Sequence, residues 1–312
     1  MPRKAKVVTT SFFGVTGSTA DENRELACTY VDIAGREGAD MVCLPEDFLR
    51  PRSDGRLRVN YSEPLSGPTF ERLAALARTH RIWIVACYSV ETGPDQRENS
   101  AVVIDRDGQL AARYAKIHPT IGECRDSRIT PGGSSVVVET DFGRVGLAIC
   151  YDIGWPDHWA DLARKGAEMV VWPSAYDGGF PLQVYAWTHF YHVVSAVRSE
   201  HSKVIDITGR VITQTSKYHR LAAATIDLEK EVFHTDAQAQ KLIEIERELG
   251  PGVTIDALSQ ENVFTVESND AAWPLSRIKE RWGLENFRDY HRRATAVQDE
   301  DRQRDTAVVG AE

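Results

Sequence analysis

Short apolar runs separated by polar turns and by segments of helical spacing fill most of the chain. Residues 6–13 are rich in β-branched and aromatic side chains, which predicts a first strand. Residues 21–34 carry apolar side chains at helical spacing, which predicts a helix. Further along, polar turns at 105–109 and 141–143 each separate two apolar runs, which predicts hairpins. Strands that alternate with helices early and form hairpins later predict an α/β fold of mixed sheets covered by helices.

The apolar run 145–149 ends abruptly at Cys150. A turn with Gly154 and Pro156 follows, and then a predicted helix over 158–165. In open α/β sheets the carboxyl ends of strands carry the chemistry, and a thiol near a helix N-terminus is favoured as the thiolate. A single buried cysteine is more often a small core residue, so Cys150 alone does not define a site.

Two other apolar runs end in the same way, the first at Glu46 and the second at Lys116. A carboxylate, an amine and a thiol therefore each stand at the predicted carboxyl end of a strand. Because such groups are costly to bury without a partner, their convergence predicts a functional site.

The residues around these three positions resemble the signatures of the nitrilase superfamily, the carbon–nitrogen hydrolases. The matching segments are Leu44-Pro-Glu46, Tyr114-Ala-Lys116-Ile-His118 and Gly146-Leu-Ala-Ile-Cys150-Tyr-Asp152. The resemblance runs from about residue 5 to about residue 230. It implies a four-layer α-β-β-α sandwich of two mixed sheets. It also implies a Glu46-Lys116-Cys150 catalytic triad, with Glu123 at the place of a second, supporting glutamate.

These residue types fit the hydrolysis of a carbon–nitrogen bond through a covalent intermediate. A thiolate of Cys150 attacks the carbon and forms a thioester, which splits one difficult step into two. Glu46 takes the thiol proton and later activates a water molecule. Lys116 and the backbone N–H of Tyr151 stabilise the oxyanion. Glu123 positions Lys116 or the leaving ammonia.

The residues that bind the substrate are harder to predict. Tyr176 follows a predicted central strand and could reach a substrate, and Ser174 could line the pocket. Arg125 and Arg128 follow Glu123 closely and could hold a substrate carboxylate, although solvated surface positions are the more ordinary interpretation.

The reaction has several possible forms. Members of the superfamily that cleave nitriles usually have Trp-Glu after the cysteine, whereas this chain has Tyr151-Asp152, which favours a small linear amide as the substrate. The alternatives are an N-carbamoyl amine or amino-acid hydrolase, a nitrilase, and a catalytically silent binding protein on the same fold.

Composition excludes several other functions. The net charge of −9 over 312 residues argues against nucleic acid or an anionic membrane surface as a partner. No apolar stretch approaches the length of a membrane span or resembles a signal segment. Five cysteines without a CxxC pair predict a reduced, cytoplasmic protein without a metal site. Because nucleotide-binding motifs are also absent, we expect no cofactor.

The chain is predicted to contain a hydrolase domain over residues 1–265 and a C-terminal extension over 266–312. In the superfamily such extensions often contact a second subunit, so a homodimer or larger homo-oligomer is implied. Residues 294–312 are polar and predicted to be poorly ordered. Residues 51–64 are predicted to form a polar loop that shapes the mouth of the site.

Overall fold

The computed structural model describes the backbone of residues 3–52 and 61–309, and the side chains as far as residue 303. Two compact units are present. The larger one covers Lys4–Leu228, and the smaller one begins at Glu229. The division therefore falls after Leu228, and the boundary at residue 265 stays a prediction. Most of the loop expected at the mouth of the site, residues 53–60, lies outside the described residues.

The larger unit contains thirteen strands and five α-helices among its described residues. The helices are α1 Ala20–Arg36, α2 Pro68–His80, α3 Ile121–Arg125, α4 Pro156–Arg164 and α5 Phe180–His189. The strands are β1 Lys4–Thr10, β2 Met41–Cys43, β3 Glu63–Pro64, β4 Trp83–Gly93, β5 Gln96–Ile104, β6 Leu110–Ala115, β7 Val137–Glu139, β8 Arg144–Leu147, β9 Met169–Ser174, β10 His192–Val197, β11 Lys203–Ile205, β12 Val211–Gln214 and β13 Leu221–Asp227.

These strands form two mixed sheets. The first has the order β13-β1-β2-β4-β5-β6, with β3 beside β4, and the second has the order β12-β11-β10-β9-β8-β7. Both predicted hairpins are present, as the antiparallel pairs β5–β6 and β7–β8. In the second sheet β8, β9 and β10 run parallel, so their carboxyl ends lie at the same edge. That edge carries the residues that follow Leu147, Ser174 and Val197.

Three apolar clusters show how the layers pack. One cluster joins the inner faces of both sheets and includes Val85 and Val171. A second covers the outer face of the first sheet, where Val31 of α1 is buried. A third covers the outer face of the second sheet, where Trp159 of α4 and Leu182 of α5 are buried. The predicted four-layer α-β-β-α sandwich is confirmed.

The strand that leads to Cys150 ends earlier than predicted. The backbone N–H of Ile149 donates to the Asp152 carboxylate at 2.8 Å instead of continuing the sheet. The chain then forms a 3-10 helix over Cys150–Gly154, before α4 begins at Pro156. A side chain two residues after the cysteine therefore ends the strand and starts the turn.

The smaller unit has its own sheet and core. The strands β14 Glu231–His234, β15 Val253–Leu258 and β16 Val263–Ser268 form an antiparallel sheet of order β14-β16-β15. The helices are α6 Leu242–Leu249, α7 Leu275–Trp282 and α8 Phe287–Val309. Phe233, Phe264 and Ile278 are fully buried between them.

This unit includes the C-terminal extension that was predicted over residues 266–312. Helix α8 extends to Val309, across the segment that was predicted to be poorly ordered. No helix among the described residues is both long and apolar enough to span a bilayer.

Candidate active site

Four polar side chains meet in a buried cluster at one end of the first sheet. The ammonium group of Lys116 donates to Glu46 Oε1 at 2.8 Å and to both carboxylate oxygens of Glu123 at 2.9 Å. The amide nitrogen of Asn99 donates to the same Glu46 oxygen at 2.8 Å and to Glu123 Oε1 at 2.9 Å. Lys116 and Glu46 are only 1 % and 4 % exposed. Each donor thus bridges the two carboxylates.

The strands of the first sheet bring these side chains together. Glu46 follows β2, Lys116 follows β6, and Asn99 lies on β5 between them. The backbone N–H of Lys116 donates to the Asn99 carbonyl at 2.9 Å, and the Gly132 N–H donates to the Lys116 carbonyl at 2.9 Å. Glu123 caps the short helix α3, where its carboxylate accepts from the Thr120 N–H at 2.7 Å. The cluster therefore rests on backbone contacts as well as on its own hydrogen bonds.

Cys150 lies on a constrained turn at the edge of the second sheet. Its φ is 45°, a left-handed conformation that is uncommon for a residue other than glycine and that clusters at functional sites. The Cys150 carbonyl accepts from the indole N–H of Trp172 at 3.0 Å, which fixes the turn from below. The thiol accepts hydrogen bonds from the Ser174 hydroxyl and the Ala175 N–H.

The surroundings of Cys150 keep its thiol protonated. Burial and the negative charge of Glu46 raise its pKa to about 12, although Lys116 and the hydrogen bonds from Ser174 and Ala175 act in the opposite direction. The expected thiolate at a helix N-terminus is therefore wrong for the resting site. The physical reason is that desolvation and a nearby carboxylate outweigh the donors of a single short turn.

The charges of the other groups support one another. Burial disfavours the ammonium form of Lys116, but Glu46, Cys150 and Glu123 raise its pKa overall, so it stays charged. Burial also disfavours the carboxylate of Glu123, but Lys116 and the hydrogen bonds from Thr120 and Asn99 lower its pKa overall. The site thus holds a permanent cation between two carboxyl groups, beside a neutral thiol.

The residues that were predicted to bind the substrate lie at different places relative to the buried cluster. Tyr176 is half-exposed, and burial and the proximity of Cys150 and Glu46 raise the pKa of its hydroxyl. Arg125 and Arg128 are exposed on α3 and on the turn after it, and neither has a described contact with the cluster. Tyr151 is the second residue of the 3-10 helix, where N–H groups have no acceptor within the helix.

Several residues that shape the site were not predicted. Asn99 opens the apolar run that precedes the first predicted hairpin turn, and a polar residue at that position is a signal of a buried polar contact. Asp152 accepts from the Tyr114 hydroxyl at 2.7 Å and from His118 Nδ1 at 2.8 Å. Since Tyr114 and His118 flank Lys116, the Asp152 carboxylate ties the Lys116 segment to the Cys150 turn.

The described residues show neither a disulfide nor a metal-binding group. All five cysteines have free thiols. No group of three or more His, Cys, Asp or Glu side chains within the described ranges could hold a metal ion. The donors in the cluster are instead an ammonium group and an amide.

Comparison with known proteins places the whole arrangement in a family. The carbon–nitrogen hydrolase profile matches residues 14–232. The chain is 32% identical to the deaminated glutathione amidase of Mus musculus, over 66% of this chain and 73% of the relative. It is 28% identical to an omega-amidase of Xenopus tropicalis, over 67% of this chain and 84% of the relative.

Solved structures share the fold. Nit3 of Saccharomyces cerevisiae, a member of branch 10 of the nitrilase superfamily, superposes with a TM-score of 0.62 at 22% identity, over 80% of this chain and 94% of that one. An amidase from Nesterenkonia sp. superposes with a TM-score of 0.61 at 19% identity, over 77% of this chain and 95% of that one. The chain therefore belongs to the carbon–nitrogen hydrolase family of the nitrilase superfamily, whose members hydrolyse carbon–nitrogen bonds, and is a cysteine-dependent enzyme of that family.

Proposed function

We propose that the enzyme hydrolyses a small linear amide to a carboxylic acid and ammonia, with Cys150 as the nucleophile. The observation that carries this proposal is the juxtaposition of a neutral buried thiol with a buried ammonium–carboxylate pair. Relatives that are named amidases support an amide as the substrate.

Glu46 is proposed as the general base. Both Lys116 and Asn99 donate to its Oε1 atom, which leaves Oε2 without a donor among the described residues. This oxygen can accept the thiol proton as the sulfur attacks the amide carbon. Because the resting thiol has a pKa of about 12, attack needs this proton transfer.

The remaining steps follow from the same groups. As the sulfur–carbon bond forms, the carbonyl oxygen becomes an oxyanion, which the Lys116 ammonium group and the Tyr151 N–H stabilise. Loss of one such donor typically lowers the rate by about 10²–10³. When the carbon–nitrogen bond breaks, Glu46 returns the proton to the leaving ammonia. Glu46 then takes a proton from water as the water oxygen attacks the thioester carbon. The sulfur–carbon bond breaks, the acid is released, and Glu46 returns the proton to the Cys150 sulfur.

Ammonia release from simple aliphatic amides, ω-amides, N-carbamoyl compounds and nitriles tests this proposal. We expect release from amides by the intact enzyme and none above background by Cys150→Ala. A Cys150→Ala enzyme that still releases ammonia would contradict the proposed nucleophile. Preference for an N-carbamoyl compound or a nitrile would instead support the corresponding alternative reaction.

We also propose that the enzyme forms a homodimer or larger homo-oligomer through the face of α4 and α5. A groove of about 450 Å³ lies between these helices, and it is lined by apolar side chains that include Phe180 and Val184. Phe180 is 71% exposed. In a two-fold dimer the same face of each copy covers the other, which would bury Phe180.

Multi-angle light scattering of Phe180→Ser tests the oligomer. This variant should show a smaller mass than the intact enzyme. The control is Tyr218→Ser, at a position that is 85% exposed between β12 and β13. Equal masses for all three chains would contradict this interface.

A cytoplasmic location is proposed as well, and the five free thiols support it.

A further inference from the structure

Two buried polar atoms near Glu46 have no hydrogen-bond partner among the described residues. They are the Oδ1 atom of Asp47 and the Nε atom of Arg198. The two side chains carry opposite charges, yet no ion pair joins them within the described ranges. Buried polar atoms are nearly always paired, so each such exception needs an explanation.

Asp47 is held in a fixed and unusual conformation directly after Glu46. Its φ is 50°, which is uncommon for a residue other than glycine. The Tyr61 hydroxyl donates to Asp47 Oδ2 at 2.7 Å. One carboxylate oxygen is therefore satisfied within the protein, whereas the other remains available for a hydrogen-bond donor.

The backbone of Arg198 lies beside Ser174, which contacts the Cys150 thiol. It follows β10, and its N–H donates to the Ser174 carbonyl at 3.0 Å. Ser174 in turn donates its hydroxyl hydrogen to the Cys150 thiol. Because neighbouring strands are about 4.8 Å apart, the Arg198 backbone lies one strand spacing from Ser174.

The Arg198 side chain also acts on Asp47. Burial raises the pKa of Asp47, and the charge of Arg198 partly offsets this effect. The same charge acts on the Tyr61 hydroxyl that contacts Asp47. The Arg198 guanidinium group and the Asp47 carboxylate therefore lie within electrostatic reach of each other, and Asp47 directly follows Glu46.

We propose that Arg198 and Asp47 form a subsite for the head group of the substrate. The guanidinium group receives a carboxylate, for which its planar donors are well suited, and Asp47 Oδ1 receives an ammonium group on the adjacent carbon. This arrangement pairs both unpartnered atoms at once. The inference rests on the proposed function, because it identifies the amide that Cys150 attacks as the ω-amide of an amino dicarboxylic acid.

Three amides of equal chain length separate the two contacts. L-Glutamine carries both charges, glutaramate carries the carboxylate alone, and pentanamide carries neither. We expect kcat/KM to fall in that order. Arg198→Gln should lower the ratio of kcat/KM for L-glutamine over pentanamide by about tenfold to hundredfold. Asp47→Asn should lower the ratio for L-glutamine over glutaramate by a similar factor.

The matched control is Arg36→Gln, an exposed arginine in the last turn of α1, which should leave both ratios unchanged. Equal kcat/KM for the three amides would overturn the subsite and leave Arg198 and Asp47 joined by a bridging water only. Variants that lower all three values by one factor would overturn it as well, because a purely structural effect does not distinguish head groups.

Calorimetry on Cys150→Ala separates this inference from the proposed reaction. If the intact enzyme cleaves no amide, but L-glutamine binds Cys150→Ala and Arg198→Gln weakens that binding at least tenfold, the subsite stands and the proposed reaction fails. If L-glutamine neither binds nor reacts, the subsite is overturned. Cleavage of pentanamide alone would support the reaction and overturn the subsite.

Discussion

Replacement of Asn99 by leucine should disable the enzyme although Asn99 reaches neither the thiol nor the predicted oxyanion. The amide nitrogen makes two hydrogen bonds to carboxylates, at 2.8 Å to Glu46 and at 2.9 Å to Glu123. A hydrogen bond to a charged group contributes about 1.5–3 kcal/mol, so the substitution removes about 3–6 kcal/mol of the free energy that stabilises the cluster. Leucine has a similar size, so the loss arises from these hydrogen bonds, together with the weaker one that the amide oxygen accepts from Cys87 Sγ at 3.4 Å, and not from a cavity.

The effect on activity follows from the position of Glu46 relative to the Cys150 thiol. With only Lys116 left to hold both carboxylates, Glu46 can move relative to the thiol, and a displacement of about 1 Å lowers the rate by about 10². We therefore expect kcat to fall about 10² or more in Asn99→Leu, with a smaller change in KM. Steady-state kinetics of ammonia release measures both constants, and thermal unfolding measures the loss of stability.

The neighbouring serine provides the control. Ser100 is fully buried on the same strand, but its hydroxyl has no hydrogen-bond partner among the described residues. Ser100→Ala should therefore retain both kcat and the unfolding temperature. If Asn99→Leu keeps kcat within about threefold of the intact enzyme and unfolds at the same temperature, the reasoning about the two carboxylates is refuted.

Three other predictions concern the charge, the thiol and the backbone of the site. Glu123→Gln removes one of the two carboxylates that hold Lys116, so kcat should fall about tenfold to hundredfold in the same assay; an unchanged kcat would contradict its positioning role. Because the pKa of Cys150 is raised to about 12, its neutral form persists as the pH rises. The rate of its alkylation by iodoacetamide, followed by peptide mass spectrometry, should therefore increase from about pH 7 to about pH 10 without a plateau. A plateau near pH 8.5 would show an ordinary thiol. A Cβ at Gly132 would clash with the Ala115 carbonyl oxygen of β6, whereas one at Gly133 would meet nothing within 4 Å. Gly132→Ala should therefore lower both the unfolding temperature and kcat, while Gly133→Ala should lower neither.

The three central residues could be predicted because each one ends an apolar run. Glu46, Lys116 and Cys150 each interrupt a local pattern, and such a break is visible in the sequence without knowledge of the partners. The layered fold could be predicted for a similar reason, since strands, helices and hairpins follow local spacing and turn chemistry. The order of the layers was then implied by the resemblance of the segments around Glu46, Lys116 and Cys150 to the family signatures.

Asn99 and Asp152 could not be assigned because their roles depend on pairing between distant segments. Asn99 faces Glu46 only through the register of β5 with its neighbours in the first sheet. Asp152 gains its role only when the Lys116 segment packs beside the Cys150 turn. Arg125 shows the opposite case, since it is close to Glu123 in sequence but exposed on a helix of five residues.

The protonation state of the Cys150 thiol also could not be predicted from the sequence. A turn at a helix N-terminus favours a thiolate, and this local feature is present. Burial by both sheets and the charge of Glu46 outweigh it, and both effects arise from the tertiary structure. The thiol therefore depends on Glu46 for its proton transfer.

Intact-protein mass spectrometry during turnover tests the central claim most directly. We expect a fluorinated amide, which reacts more readily, to add one acyl group to the intact enzyme during turnover, and peptide mapping should locate the group on Cys150. Glu46→Gln keeps the shape of the base but cannot accept a proton, so the same adduct should form far more slowly on this variant. No adduct should form on the double variant Glu46→Gln/Cys150→Ala. An acyl group on any other residue, or ammonia release that persists without Cys150, would contradict the account.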